Sequence, residues 1–400
     1  MTPVDPRRNI FGALRLALAV TVVVAHSFPL GYGQSSPWYS ASHGQTDLGS
    51  LAVLGFFAIS GYLVTLSAAR THPARFAWHR ILRIFPAFWV ALVVTAFVFA
   101  PLALHHRSGA GGLSELHPGP TSYVTSNWWT QMRQYGVGDL LVETPYGALT
   151  GRSVFDGSLW SLRFELACYL ALFVLAVLGT RRCLRLSVGV AAGLVAVASV
   201  LQWLPRDRYG TGPSPLPTPV LPLLGALDPS TAAPMTLAFA VGALVAVFPT
   251  QLAMGRWPAL VALGIFAGTL EFGAFDVVGV PAFAYVILFL GSRAPAALRN
   301  VGTRTDISYG VYIYGFPIEQ LLALNGVPAH GHLLYLGTSI ALALVAGWIS
   351  WQVVESRALR LKGWRPGRSP RTSPAGHPSV AVATAPGQQR CPATDPAGMM

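Results

Sequence analysis

Two ionisable residues in the first apolar stretch of the chain could do chemistry inside a membrane. The stretch covers residues 10–30, which at about 1.5 Å per residue is long enough to cross a bilayer of about 30 Å. Arg15 and His26 are eleven positions apart, so both side chains leave one helix face, about 16 Å apart along the axis. An ionisable residue at this depth costs at least about 2.5 kcal/mol unless it faces protein or water. The shared face marks a candidate site. The alternatives are that Arg15 is an anchor that snorkels to the interface near the helix start, and that His26 is a satisfied polar residue near the far interface.

The chain as a whole has the composition of a polytopic membrane protein. Of its 400 residues 53% are hydrophobic and only 10% charged, and the mean hydropathy is +0.51, which excludes an ordinary soluble domain. A cleaved signal peptide is the alternative for the first segment, but its length and its arginine favour a retained span. The apolar segments predict an all-α bundle of about ten membrane helices, approximately 10–30, 48–68, 84–104, 159–179, 186–204, 233–250, 257–271, 274–291, 307–327 and 332–355.

The basic residues predict the orientation of this bundle. With a cytoplasmic N-terminus, 20 basic residues fall on the cytoplasmic side and five outside, as the positive-inside rule requires. Both termini are therefore expected in the cytoplasm. Residues 1–361 form the predicted membrane domain, and residues 362–400 form a predicted disordered tail rich in Pro and Arg. The cysteines at positions 168, 183 and 391 predict no disulfide, and no His/Cys spacing predicts a metal site.

A second stretch with side chains that could do chemistry lies just before the third predicted span. Arg80 and Arg83 are three residues apart, so they share a helix face at the predicted cytoplasmic mouth of the bundle. Two guanidinium groups on one face can hold phosphate bidentately, which lysines cannot do. The alternative is that both residues are ordinary positive-inside anchors.

Two carboxylates inside predicted spans could support His26. Glu165 lies about 9 Å and His26 about 6 Å below the outer boundary, so the two could pair, which would raise the basicity of the imidazole and suit a general base. A structural ion pair between Glu165 and Arg163, or another buried arginine, is the alternative. Glu319, about 12 Å below the outer face, is a second candidate partner.

The outer loop of residues 105–158 combines aromatic and acidic residues. Aromatic faces beside carboxylates suit a sugar-like ligand, but they equally suit a loop at the membrane interface. The residues concerned are Tyr123, Trp128, Trp129, Tyr135 and Tyr146, with Glu115, Asp139, Glu143 and Asp156.

Five motifs in order resemble the acyltransferase-3 family of integral membrane acyltransferases. They are Arg15-x10-His26, FFAISGYL at 56–63, RxxR at 80–83 followed by IFPAFW, SLWSLRFE at 158–165 and SYGVYIYGFP at 308–317. The resemblance covers about residues 9–355. It implies a ten-helix core that takes an acyl group, often acetyl, from acyl-CoA as co-substrate, without a permanently bound cofactor. It also implies that His26 is catalytic, that Arg15 belongs to its motif, and that Arg80 and Arg83 bind the donor.

The chain departs from the family pattern in two places. Many members have a histidine before the FP of the ninth-span motif, where this chain has Gly315, so no catalytic role is expected there. Some members carry a periplasmic hydrolase-like domain after the bundle. This chain has only a short tail in that place, so a second transfer step would need a separate partner.

The sequence therefore predicts a membrane O-acyltransferase of the cell membrane that modifies a surface polysaccharide or a related glycan. The expected partners are acyl-CoA, a glycan or glycosylated small-molecule acceptor and the lipid bilayer, with no nucleic acid. Glu165 and Glu319 both remain candidates to support His26. The alternative is a transporter or flippase that uses the intramembrane ionisable residues as a substrate or proton path. Transporters often contain repeats, and we find none in this sequence.

Overall fold

The computed structural model describes residues 9–106, 112–178, 184–252, 254–293, 295, 298–299, 301–302 and 305–363. It is 72% helical with almost no strand, which confirms the all-α membrane bundle. The predicted tail lies outside the described residues from position 364 onward, as do Cys183 and Cys391. Cys168 is a free, buried cysteine.

The described residues contain fourteen α-helices and one antiparallel ribbon with two residues in each strand, besides short 3-10 and π-helical turns. The ribbon pairs β1 (Val220–Leu221) with β2 (Gly225–Ala226). The helices are α1 (Phe11–Tyr32), α2 (Leu48–Arg70), α3 (Pro73–Val94), α4 (Ala100–His106), α5 (Pro120–Ser126), α6 (Pro145–Thr150), α7 (Leu162–Leu178), α8 (Leu184–Trp203), α9 (Pro229–Val247), α10 (Arg256–Phe272), α11 (Val280–Ser292), α12 (Ser308–Leu324), α13 (His332–Ser350) and α14 (Ser356–Arg360).

The predicted spans correspond to long helices of the structure. Eight helical segments of the described residues are long and apolar enough to cross a membrane, the longest being α3 continued into α4 as Pro73–His106. The remaining two predicted spans correspond to α10 and α12, each of 17 residues, or about 25 Å. Three of the long helices contain or adjoin a π-helical turn, at Thr95–Phe99, Phe275–Gly279 and Trp351–Glu355.

Close helix packing holds the centre of the bundle together. Helices α2 and α9 approach so closely that a Cβ added at Gly61 would lie 2.0 Å from the Phe239 carbonyl oxygen. A Cβ at Gly242 would lie 2.1 Å from the Ala58 carbonyl oxygen, so both glycines are required by the contact. Helix α2 begins where the Asp47 side chain accepts a hydrogen bond from the Ser50 backbone N–H.

Helix α12 is the most enclosed element of the bundle. Every residue from Ser308 to Gln320 is buried, so the helix has no lipid-facing side over most of its length. Leucine and valine side chains on α8 are exposed instead, as expected for a helix in contact with lipid. Polar groups carried by α12 are therefore placed in the protein interior and not in the hydrocarbon.

Part of the long loop between α4 and α7 is inserted into the bundle. We call residues 154–161 the inserted segment. Its Val154 carbonyl accepts a hydrogen bond from Gln320 Nε2 (2.9 Å), and Ser158 Oγ donates to the Tyr312 carbonyl (3.1 Å). Asp156 is fully buried and accepts a hydrogen bond from Tyr123 Oη (2.5 Å). Burial raises the pKa of Asp156 to about 7, against the lowering effect of that hydrogen bond.

The bundle has two chemically distinct ends. The basic face is the end that holds Arg15, Arg80 and Arg83, and the loop face is the opposite end, with the inserted segment. The assignment of the basic face to the cytoplasm remains a prediction from charge bias.

Candidate active site

His26 and Glu319 meet near the loop face, between the end of α1 and the second half of α12. His26 Nδ1 lies 4.0 Å from Glu319 Oε2, and the His26 ring packs edge-on against Phe316 with ring centroids 5.1 Å apart. The His26 side chain is 23% exposed, whereas that of Glu319 is 0% exposed. The imidazole can therefore meet a substrate, while the carboxylate can act only through its neighbours.

Glu319 has no hydrogen-bond partner for either carboxylate oxygen among the described residues. A buried, unpaired carboxylate is costly and rare in proteins, and within a membrane-spanning helix it is a functional candidate. Tyr335 donates to the Glu319 backbone carbonyl (3.0 Å), which holds α12 against α13 at this level. The environment of Glu319 thus fixes its backbone and leaves the carboxylate directed towards His26.

Gly315, the position at which the sequence departs from the family pattern, lies in close contact with α1. A Cβ at this position would lie 2.8 Å from Val23 Cγ2 of α1, so a larger residue would require Val23 or α1 to shift. The same close approach brings His26 within reach of Glu319.

A loop-face cavity of about 970 Å³ opens above His26. Its wall combines charged and aromatic side chains, of which Tyr135, Tyr146 and Asp139 were among the residues that the sequence indicated for a sugar-like ligand. Trp128 and Trp129 do not line it. Trp129 packs on Phe85 instead, with ring centroids 4.8 Å apart. The charged and aromatic residues lining this cavity are His26, Asp47, Arg133, Tyr135, Asp139, Tyr146, Arg152, Trp160, Tyr312 and Phe316.

At the basic face, an ion-pair network holds Arg15 and Arg83. Arg15 Nη1 lies 2.6 Å and Arg83 Nη2 lies 2.8 Å from the same Asp306 carboxylate oxygen, and Arg83 Nη1 lies 3.2 Å from Glu355 Oε2. Burial alone would raise the pKa of Asp306, but Arg15 and Arg83 lower it well below its usual range. Both arginines are therefore largely neutralised by protein carboxylates.

Arg80 is held differently from Arg83. Its guanidinium lies over the rings of Phe76 and Tyr169, 5.9 and 5.7 Å from their centroids, and its buried Nε has no hydrogen-bond acceptor among the described residues. Arg15, Arg80 and Arg83 all line a basic-face cavity of about 350 Å³. The sequence placed Arg80 and Arg83 together, and the structure separates them into an available cation and a paired one.

Glu165 does not pair with His26. It accepts a hydrogen bond from Ser60 Oγ (3.1 Å) and another from Tyr169 Oη, and it lines the basic-face cavity. The alternative ion pair with Arg163 is also absent, because the Arg163 guanidinium stacks on the Phe164 ring instead, 4.8 Å from its centroid.

The reason for this difference is the inserted segment. The depth predicted for Glu165 assumes an outer boundary near residue 158, but residues 154–161 are already inside the bundle. Glu165 therefore lies at the level of Ser60, which is twelve residues, or about 18 Å, from the loop-face end of α2. Glu319 is the carboxylate beside His26.

The two cavities adjoin at Val53 and Tyr312, which line both. Tyr312 Oη lies 2.6 Å from Ser161 Oγ and donates to the Ser158 carbonyl (2.7 Å), so the ring is held by the inserted segment. Tyr312 is thus part of a thin partition between a cationic cavity on one side and the His26 cavity on the other.

Sequence reasoning missed Asp47, Asp306, Tyr312 and Glu355 as site residues. Asp306 and Glu355 carried a usable signal, since Asp306 is an isolated carboxylate in a basic, predicted cytoplasmic loop and Glu355 ends the predicted tenth span just before the basic tail. Asp47 carried the signal of a helix N-cap and no more. Tyr312 lies in a quoted motif, but only the fold shows that it reaches both cavities.

Comparison with known proteins supplies the context for this arrangement. The acyltransferase domain family, acyltransferase-3, matches residues 9–352. An O-acetyl transferase of Shigella phage Sf6 is 27% identical over 361 residues, which cover 88% of this chain and 96% of the relative. Nodulation protein 10 of Rhizobium leguminosarum bv. viciae is 28% identical over 379 residues, which cover 89% of this chain and 94% of the relative. No solved structure matches.

Proposed function

The chain belongs to the acyltransferase-3 family of membrane O-acyltransferases, and from this premise we propose that it moves an acetyl group from acetyl-CoA to a glycan hydroxyl. The single observation that carries the proposal is the arrangement of two adjoining cavities. One is lined by cations suited to a phosphorylated donor, and the other contains His26 and sugar-compatible side chains. We place the protein in the cell membrane, with the basic face in the cytoplasm.

The donor is proposed to enter at the basic face. Coenzyme A carries phosphates at one end and the thioester at the end of a long, flexible pantetheine arm. The cations of the basic-face cavity are positioned to hold the phosphates, because charge-assisted hydrogen bonds from arginine to phosphate are among the strongest in proteins. The arm then extends past Val53 and Tyr312, which places the thioester carbonyl near His26.

The reaction needs one base, and it converts the thioester of the donor into an ester of the acceptor. His26 removes the proton of the acceptor hydroxyl as that oxygen attacks the thioester carbonyl carbon. The carbon–sulfur bond breaks, the new carbon–oxygen ester bond remains, and the imidazolium returns the proton to the leaving thiolate as free CoA. Glu319, 4.0 Å from His26 Nδ1, stabilises the imidazolium formed between these steps.

The acceptor is proposed to be a sugar hydroxyl of a surface polysaccharide or a glycosylated small molecule. The loop-face cavity offers aromatic rings for the apolar faces of a sugar, with Tyr146 and Trp160 on its wall. Carboxylates and amides in the same wall, such as Asp139 and Gln134, can take part in hydrogen bonds with its hydroxyl groups.

The proposal is tested by the release of free CoA from acetyl-CoA by protein in nanodiscs, with a crude glycan extract as acceptor. We expect acceptor-dependent release that His26→Ala lowers by about 10²–10⁴-fold, the usual contribution of a positioned base, while acetyl-CoA binding persists. The matched control is His106→Ala, an exposed histidine at the end of α4. Undiminished release from His26→Ala would contradict the assignment of His26.

The same assay separates the enzyme from the transporter considered on sequence grounds. A transporter would form no chemical product, so wild-type protein would release no CoA with any acceptor. The family match favours the enzyme, and the asymmetry of the two cavities agrees with two different substrates.

A further inference from the structure

The basic-face cavity has more positive charge than its own carboxylates neutralise. Asp306 and Glu355 take up the charges of Arg15 and Arg83 through the ion pairs described above. The third carboxylate, Glu165, is hydrogen-bonded by two hydroxyl groups and makes no ion pair with a described residue. Of the described residues that line this cavity, Arg80 and Lys362 are the cations left without a carboxylate partner.

Lys362 is the single lysine of the 400-residue chain, and it lies ten positions beyond the last residue of the family match. The end of the described chain nevertheless packs against α3. Trp78 Nε1 donates to the Leu361 carbonyl (3.1 Å), and His79 Nε2 lies 3.4 Å from the Lys362 carbonyl oxygen. These contacts hold the backbone on both sides of the lysine, while its side chain lines the cavity with Arg80.

Arg80 is the other cation of the basic-face cavity without a carboxylate partner among the described residues. Its stacking on Phe76 and Tyr169 fixes the guanidinium without using the N–H donors, and the buried Nε is left without an acceptor. A fixed planar fork with free donors, next to a compact ammonium group, matches the needs of a phosphate with several oxygens.

We propose that Lys362 and Arg80 form the phosphate-binding pair for the nucleotide part of the acyl-CoA donor, an inference that rests on the proposed function. Arg83 then serves the neighbouring ion-pair network and not the phosphates directly. An anionic lipid headgroup presents the same chemistry at this face of a bilayer, so the experiment separates the two sources.

The single lysine makes the pair directly observable. An amine-reactive reagent can modify only Lys362 and the N-terminal amine, and mass spectrometry reports the rate at each. In phosphatidylcholine nanodiscs, acetyl-CoA at about ten times its Kd should slow modification of Lys362 about tenfold, because only the free protein reacts. Inorganic pyrophosphate should slow it as well, and modification of the N-terminal amine should not change.

Kinetics of matched variants give a second measurement. Lys362→Met should raise the KM for acetyl-CoA about 10- to 100-fold with little change in kcat, as expected for loss of one charge-assisted hydrogen bond. Lys362→Arg should restore most of the affinity. The control Arg360→Met removes an exposed cation of α14 that does not line the cavity, and it should leave the KM unchanged.

Equilibrium binding of radiolabelled acetyl-CoA separates failure of this inference from failure of the proposed function. If acetyl-CoA binds and Lys362 is not protected, the pair is refuted while the function stands. Protection by phosphatidylglycerol nanodiscs but not by acetyl-CoA would refute it in favour of a lipid contact. If acetyl-CoA does not bind at all, the proposed function itself fails, and the inference fails with it.

Discussion

Replacing Glu319 by glutamine tests the support that this carboxylate gives to His26. At 4.0 Å, a unit charge pair interacts by about 4 kcal/mol for an effective dielectric constant of about 20. Asp47 also lines the His26 cavity and remains in this variant, so the full value of about 4 kcal/mol is an upper bound on the loss. Since 1.36 kcal/mol is a tenfold change in rate, we expect kcat to fall by up to about 10³-fold, with the KM for acetyl-CoA unchanged.

The assay is acceptor-dependent CoA release, together with thermal unfolding of each variant. Glu319→Gln should unfold at about the same temperature, because glutamine has nearly the same size and the buried carboxyl group has no hydrogen bond to lose. The matched variant Glu165→Gln removes a carboxylate from the other cavity, so we expect any effect to fall on the donor KM and not on kcat. A kcat for Glu319→Gln within threefold of wild type would refute the reasoning, as would an equally deep loss in Glu165→Gln.

Three further predictions follow from the charges of the structure. Arg80→Ala should raise the KM for acetyl-CoA about tenfold or more, whereas Arg83→Ala should destabilise the fold by about 3 kcal/mol, because it leaves Asp306 and Glu355 without this partner. Equal effects of both variants on KM, with unchanged unfolding, would contradict this difference. The raised pKa of Asp156, about 7, exceeds the unfolded value of about 3.9, so the folded state binds more protons between these values and its stability falls as pH rises from about 4 to 7. Unfolding of Asp156→Asn should lack this slope, and an unchanged slope would exclude Asp156 as its source. Reporter enzymes fused at the loop face and at the basic face should report opposite sides of the membrane, and a common side would overturn the predicted orientation.

The helix pattern and the shared face of Arg15 and His26 could be predicted from the sequence because they depend on local periodicity alone. Eleven residues of one helix fix a relative direction, and the structure has both side chains lining interior cavities. The clusters of basic residues likewise predicted that Arg80 and Arg83 lie at one end of the bundle, and the structure has Arg83 there with Arg15 on the Asp306 carboxylate. What these local rules cannot supply is which neighbouring helix each side chain meets.

The carboxylate assigned to His26 illustrates that limit. Depth below a boundary can be counted along a helix, but the boundary at Glu165 was wrong, since the inserted segment extends the buried region before α7. A hydropathy profile could not show this, because the inserted segment carries polar groups that are buried by hydrogen bonds to α12. Asp306 was missed for a related reason, since its partners Arg15 and Arg83 are 291 and 223 residues away in sequence.

The inserted segment also has a consequence for the order in which the protein is made. Ser158 and Val154 find their partners on α12 154 and 166 residues later in the chain. At about 5–20 residues per second of synthesis, the segment waits roughly 8 to 30 s before α12 has left the ribosome. During that interval these hydrogen bonds cannot form, and Tyr312 does not yet exist to separate the two cavities. A nascent chain stalled before α12 therefore lacks Phe316 and Glu319 beside His26 as well as Tyr312, so the candidate active site can be completed only near the end of synthesis.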